Sequence, residues 1–145
     1  MNEQSILETT RVEDVMHEGV VTCSLHAPMS GVARTMAENR IHCVVVWNEP
    51  ARNEKAELWG VVSDLDLVKI AATQELSAHT AGANAATPAL MIAPEETLHR
   101  AAQLMAEHEV THLVVVDPDT AKPVGVVSTL DLASLLGGVT EPALA

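Results

Sequence analysis

The 145-residue chain is expected to fold as an α+β protein of two pseudo-symmetric repeats, each a small sheet packed with helices. Three observations predict this. The eight residues GVVSDLDL from Gly60 recur as GVVSTLDL from Gly125, with only Asp64 exchanged for Thr129. Upstream, TMAENRIHCVVV from Thr35 lies over LMAEHEVTHLVV from Leu104. The overlay shifts from 69 residues at Met36 and Met105 to 65 at Ser63 and Ser128, so the first copy carries four residues more. The extra residues fall in WNEPARNEKAELW, set against VDPDTAKPV. The repeats are taken as 10–76 and 77–138, and the tail 139–145 is expected to fray.

The N-terminus, MNEQSILETTRVEDVM, is polar and acidic. In the first copy Met29, Val32, Ala33 and Met36 stand at i, i+3, i+4 and i+7, one face of a helix; Leu98, Ala101, Ala102 and Met105 repeat it. A β-branched run follows in each, VVVW from Val44 and LVVVD from Leu113. A polar loop, with Pro50 and Asn53 in the first copy, leads to the returning strands LWGVV and PVGVV. Continuous apolar strands imply burial on both faces. A second helical pattern then runs through Leu65, Leu67, Val68 and Ile70, and through Leu130, Leu132, Leu135 and Leu136 before Gly137-Gly138 stops it. The small, polar stretch SAHTAGANAAT from Ser77 is the expected junction. A strand pair and helix of about 60 residues cannot close a core alone, so the two copies should pack against each other pseudo-symmetrically, their sheets sharing an interior.

Eight Lys plus Arg against twenty Asp plus Glu give a net charge of −12. Such a surface repels nucleic-acid phosphates and anionic membranes, so neither is an expected partner. No Tyr or Phe is present to stack bases. No apolar run approaches the roughly 18 residues needed to cross a bilayer. Cys23 and Cys43 form no CxxC pair, which suits thiols buried in a reducing compartment, and a cytoplasmic location is expected. His108 and His112 have a metal-binding spacing only if one helix carries both, and that helix should end near His108, so no metal site is expected. No nucleophile elbow or Gly-rich phosphate loop is found, so the chain is not expected to be an enzyme. Trp47 and Trp59 flank the longer loop, either as a cross-strand pair or as an exposed anchor for a partner.

Ser63-x-x-Asp66 and Ser128-x-x-Asp131 carry two readings. In one they only cap helices, the serine oxygen accepting an orphan N–H and the aspartate complementing the helix dipole. In the other, a strand ending at a helix N-terminus presents N–H groups, a hydroxyl and a carboxylate to a ligand. A carboxylate accepts from two hydroxyls at once, as in a ribose diol, and Ser with the N–H groups could meet a phosphate. Gly60 and Gly125 fit a close approach of backbone.

The paired GVVSxLDL phrases, each preceded by a helical stripe ending in MAE, resemble a pair of cystathionine β-synthase (CBS) domains from about Val12 to Leu136. The resemblance implies a regulatory, non-catalytic module, commonly a homodimer, that binds adenosine-containing ligands of the AMP, ADP, ATP or S-adenosylmethionine type in clefts between the repeats. It implies that Asp66 and Asp131 hold ribose hydroxyls, that Ser63 and Ser128 contact ribose or phosphate, and that Val61 and Val126 line the adenine pocket. Asp14 and Val20 would complete one cleft, Ala83 and Ala89 the other. Val45 and Val114 stand where the family often has proline. His112 occupies a phosphate-facing position whose counterpart is Cys43, so the Asp131 cleft is the better candidate for a phosphorylated ligand. The Asp66 cleft would then take an uncharged nucleoside, a sulfonium compound or nothing. No cofactor is required, although an acidic cleft needs a cation such as Mg²⁺ to hold ATP. A regulated partner protein is implied but not identified. The contrasting expectation is a ligand-free scaffold whose Ser and Asp residues are helix caps.

Overall fold

The two apolar runs of each repeat pair with each other as antiparallel hairpins, and short flanking strands widen each hairpin into a sheet. The computed structural model describes residues 2–48 and 56–138. In chain order these form α1 (Glu3–Thr9), β1 (His17–Glu18), β2 (Thr22–Ser24), α2 (Met29–Asn39), β3 (Cys43–Asn48), β4 (Glu57–Ser63) and α3 (Asp64–Ala71). Then come α4 (Ala81–Asn84), β5 (Met91–Ile92), α5 (Leu98–His108), β6 (His112–Val116), β7 (Pro123–Ser128) and α6 (Thr129–Leu136). The α+β class and the repeated helix–strand–strand–helix order are as expected. The loop containing Pro50 and Asn53 and the tail 139–145 lie outside the described residues.

Two compact units divide the chain, one made of residues 21–89 and the other of residues 1–20 with 90–145. Each unit therefore incorporates the segment that opens the other sequence repeat. In the unit of residues 21–89 the sheet order is β2-β3-β4, with β2 parallel to β3 and β3 antiparallel to β4. In the other the order is β1-β7-β6-β5.

The helical stripes supply the cores. Met29, Val32 and Met36 of α2 pack with Val44, Val46, Val62, Leu67 and Ala81. Leu98, Ala101 and Met105 of α5 pack with Leu113, Val115, Val127, Leu132 and Val12. Side chains alternate along a strand, so Val45, Val61, Val114 and Val126 belong to the opposite sheet faces, and they too are buried. The continuous apolar runs are thus buried on both sides, as their composition implies.

Three local features were not legible as such. Glu3–Thr9 form a helix capped by Asn2, whose Oδ1 accepts the Ser5 N–H at 2.7 Å. The junction stretch is built into its unit: Ala81 is fully buried, and Ala86 exchanges two main-chain hydrogen bonds with Val61. Both α2 and α5 end on a left-handed residue that is not glycine, Arg40 (φ 54°) and Glu109 (φ 52°).

The tryptophan pair is corrected by the register. Both hairpins shift register at the same place, after Val46 and after Val115, so Trp47 lies opposite Leu58 and Trp59 is the extra residue of a bulge. The Trp59 indole N–H instead donates to the Gly82 carbonyl at 3.0 Å.

Candidate functional site

In each unit the returning strand runs straight into a helix at the serine of the repeated phrase. Ser128 is extended (φ −116°, ψ 163°), so its N–H and hydroxyl turn toward the first turn of α6. Ser128 N donates to Asp131 Oδ2 at 2.7 Å, and Asp131 N donates to Ser128 Oγ at 3.2 Å. Asp131 is 2% exposed, a buried carboxylate in a reciprocal cap. Register puts His112 opposite Ser128, and Val126 opposite both Val114 and His17. Opposed residues share a face, so these side chains all lie on the sheet face away from Leu113, Val115 and Val127. His17 Nε2 comes to 3.3 Å from Asp131 Oδ1. His112 Nδ1 lies 2.9 Å from the Thr111 hydroxyl.

The unit of residues 21–89 repeats this plan with different side chains. Ser63 N donates to Asp66 Oδ2 at 2.8 Å, the Ser63 hydroxyl reaches the same oxygen at 3.0 Å, and Asp66 N lies 3.4 Å from Ser63 Oγ. Asp66 is only half-buried. Cys43 stands opposite Ser63, and Val61 opposite Val45 and Ala86. Asp64 of the same phrase is exposed and meets the exposed His42 at 3.1 Å.

The structure gathers Val126, Ser128, Asp131 and His112 in one unit and Val61, Ser63 and Asp66 in the other. Asp14 is exposed and its carboxylate accepts the Arg11 N–H at 3.1 Å, as a cap on a 3₁₀ turn. Val20 is half-buried just beyond β1, Ala83 is exposed on α4, and Ala89 is buried. His17 escaped the sequence reading. The overlay sets it against Ala86, but only the pairing of β1 with β7 brings it to Asp131. Among the described residues, no group of three or more His, Cys, Asp or Glu is placed to hold a metal ion. His108 ends α5 and His112 begins β6. Also among the described residues, no helix is long and apolar enough to cross a membrane.

A family model described as the CBS domain matches residues 12–73 and 85–138. The chain belongs to the CBS-domain family. Solved structures agree on the fold. The CBS domain of a bacterial CNNM/CorC family Mg²⁺ transporter in complex with ATP is 19% identical, covering 94% of each chain with a TM-score of 0.76. A CBS domain protein from Pyrobaculum aerophilum complexed with AMP is 24% identical, covering 89% of this chain and 99% of that one, with a TM-score of 0.72. A hexameric CBS-CP12 protein from bloom-forming cyanobacteria is 21% identical over 88% of this chain and 72% of that one, with a TM-score of 0.76. Comparison with curated proteins yields no match.

The two thiols of this CBS pair point to opposite sheet faces, because Cys23 pairs with Val46 on the core side and Cys43 with Ser63 on the other. Both are free. Burial, reinforced by the nearby Asp64 charge, pushes the Cys43 thiol up to about 12. Burial also raises Cys23. The folded state therefore holds the Cys43 proton more tightly than the unfolded chain, whose reference value is 9.0. The stability from this group is fully present below pH 9 and is lost as pH climbs toward 12. At pH 8, iodoacetamide is expected to label Cys23 well before Cys43 in the native protein and both equally in urea, as read by mass spectrometry. Equal native rates would contradict the burial of Cys43.

Proposed function

We propose that this CBS-domain pair is a regulatory module that senses an adenosine-containing ligand, of the AMP, ADP, ATP or S-adenosylmethionine type, and acts on a separate partner protein. The observation that carries this reading is the repeated placement of a serine and a carboxylate at a strand-to-helix junction, beside an apolar sheet face formed by Val61 or Val126. In this reading the carboxylate takes the ribose diol, the serine and helix N–H groups take ribose or phosphate, and the valine packs against adenine. ATP and AMP in complexes of two structurally similar CBS proteins support it. No resident cofactor is needed, and ATP would bring Mg²⁺ to offset the acidic charge. We place the module in the cytoplasm as a homodimer without catalytic activity. A ligand changes such a module's output only by binding two of its states unequally.

Thermal unfolding with AMP, ADP, ATP, S-adenosylmethionine and GTP, with and without Mg²⁺, tests the reading. At ten times its dissociation constant an adenine ligand is expected to add about 1.4 kcal/mol, a rise of a few degrees, and GTP nothing. One observation favours a second reading. Both serine–aspartate pairs are closed into capping boxes, which is all that a ligand-free scaffold requires. An unchanged melting temperature with every compound would establish the scaffold instead.

A further inference from the structure

His17 and Ala86 occupy matching places, one opposite Val126 and the other opposite Val61. Their side chains are chemically unlike. The imidazole brings Nε2 to 3.3 Å from Asp131 Oδ1, a close approach that covers this oxygen without making a hydrogen bond to it, while Oδ2 of the same carboxylate accepts the Ser128 N–H at 2.7 Å. The Asp131 side chain has no solvent exposure. Both of its oxygens therefore face protein groups, and solvent reaches neither. At the other phrase Ala86 offers only a methyl group, Asp66 is half-buried, and the Ser63 N–H and hydroxyl both use Oδ2. A carboxylate can receive a vicinal diol only through an oxygen that a hydroxyl can reach.

Resting on the adenosine-sensing reading above, we propose that the two halves are unequal. Asp66 is the open diol position, and His17 is a built-in competitor that occupies Asp131. A ligand entering the Asp131 half must displace the imidazole from Oδ1. His17 belongs to a strand of two residues, β1, so its displacement reaches the chain's opening segment. Occupation of the second half is thereby linked to the position of β1, whereas occupation of the first is not. This order of filling reverses the preference that the Cys43/His112 difference alone suggested for phosphorylated ligands. An uncharged nucleoside separates the two effects, because it has no phosphate for His112 to attract.

Calorimetric titration of the whole chain with adenosine tests this, using wild type, Asp66→Asn, His17→Ala and Ala86→His. Wild type is expected to bind one adenosine per chain, and Asp66→Asn to remove that site. His17→Ala should reveal a second site, and Ala86→His should weaken the first on the order of tenfold, the scale of one lost polar contact. Ala86 is exposed, so Ala86→His remains a usable folded variant even if His17→Ala is not. Two equal sites in wild type, or an Ala86→His protein that binds as wild type does, would overturn the inequality while leaving the sensing reading intact. Absence of heat with adenosine, AMP and ATP in both wild type and His17→Ala would overturn both.

Discussion

Gly125→Ala is expected to destabilise the protein by about 3 kcal/mol, the upper end for overpacking, and to lower its melting temperature by about 10 °C. A β-carbon at Gly125 would press on the His17 main-chain carbonyl, well inside van der Waals contact, and stand 3.0 Å from Met16 Sδ. A methionine end can swing aside. The carbonyl cannot, because β1 is hydrogen-bonded to β7 with Glu18 opposite Gly125. Gly60→Ala should behave alike, since its β-carbon would come 2.5 Å from the Ala86 carbonyl and 2.9 Å from Thr87 Cγ2. Gly31→Ala is the control. It lies within α2, its β-carbon would meet only Pro28 side-chain atoms at 3.6 Å or more, and alanine is the better helix former by roughly 1 kcal/mol. Chemical denaturation of the three variants decides the matter. Losses below about 0.5 kcal/mol at both Gly60 and Gly125 would mean that the opening segments are not held where the register puts them.

The second large effect separates the two aspartates. Asp131→Ala is expected to lose about 2 to 3 kcal/mol and Asp66→Ala about 1 kcal/mol. The two carboxylates make the same cap, but their surroundings differ. Ser128 is 4% exposed and Asp131 2%, so removing the carboxylate strands a buried N–H that water cannot serve. Ser63 and Asp66 are half-buried, and solvent can replace the lost acceptor. Urea unfolding of both variants without added ligand reads the difference directly. Equal losses would show that burial of the Asp131 cap contributes nothing, whatever either residue does for a ligand. The baseline also guards the ligand experiments, because a melting shift must be read from each variant's own starting point.

Much of this architecture was open to a reader of the chain. The 3.6-residue stripes beginning at Met29 and Leu98 mark the core helices because apolar spacing is a local property. The doubled valine runs mark two-sided strands for the same reason. GVVSxLDL marks the strand-to-helix junctions, and Ser-x-x-Asp marks their caps, since capping needs only residues three apart. What stayed hidden depended on pairing across long separations. The repeat boundaries do not coincide with the compact units, because each opening segment pairs with the other repeat's returning strand through main-chain atoms that any sequence provides. Trp47 missed Trp59 because a bulge shifts the register, and neither flanking residue announces it. His17 is unremarked in the sequence for the same reason. The chain alone determined its core helices, its hairpin strands, the Ser-x-x-Asp caps and its family. Only the tertiary structure decided that a histidine in the opening segment meets Asp131 while an alanine occupies the matching place beside Val61, because that contact depends on which strand lies beside which.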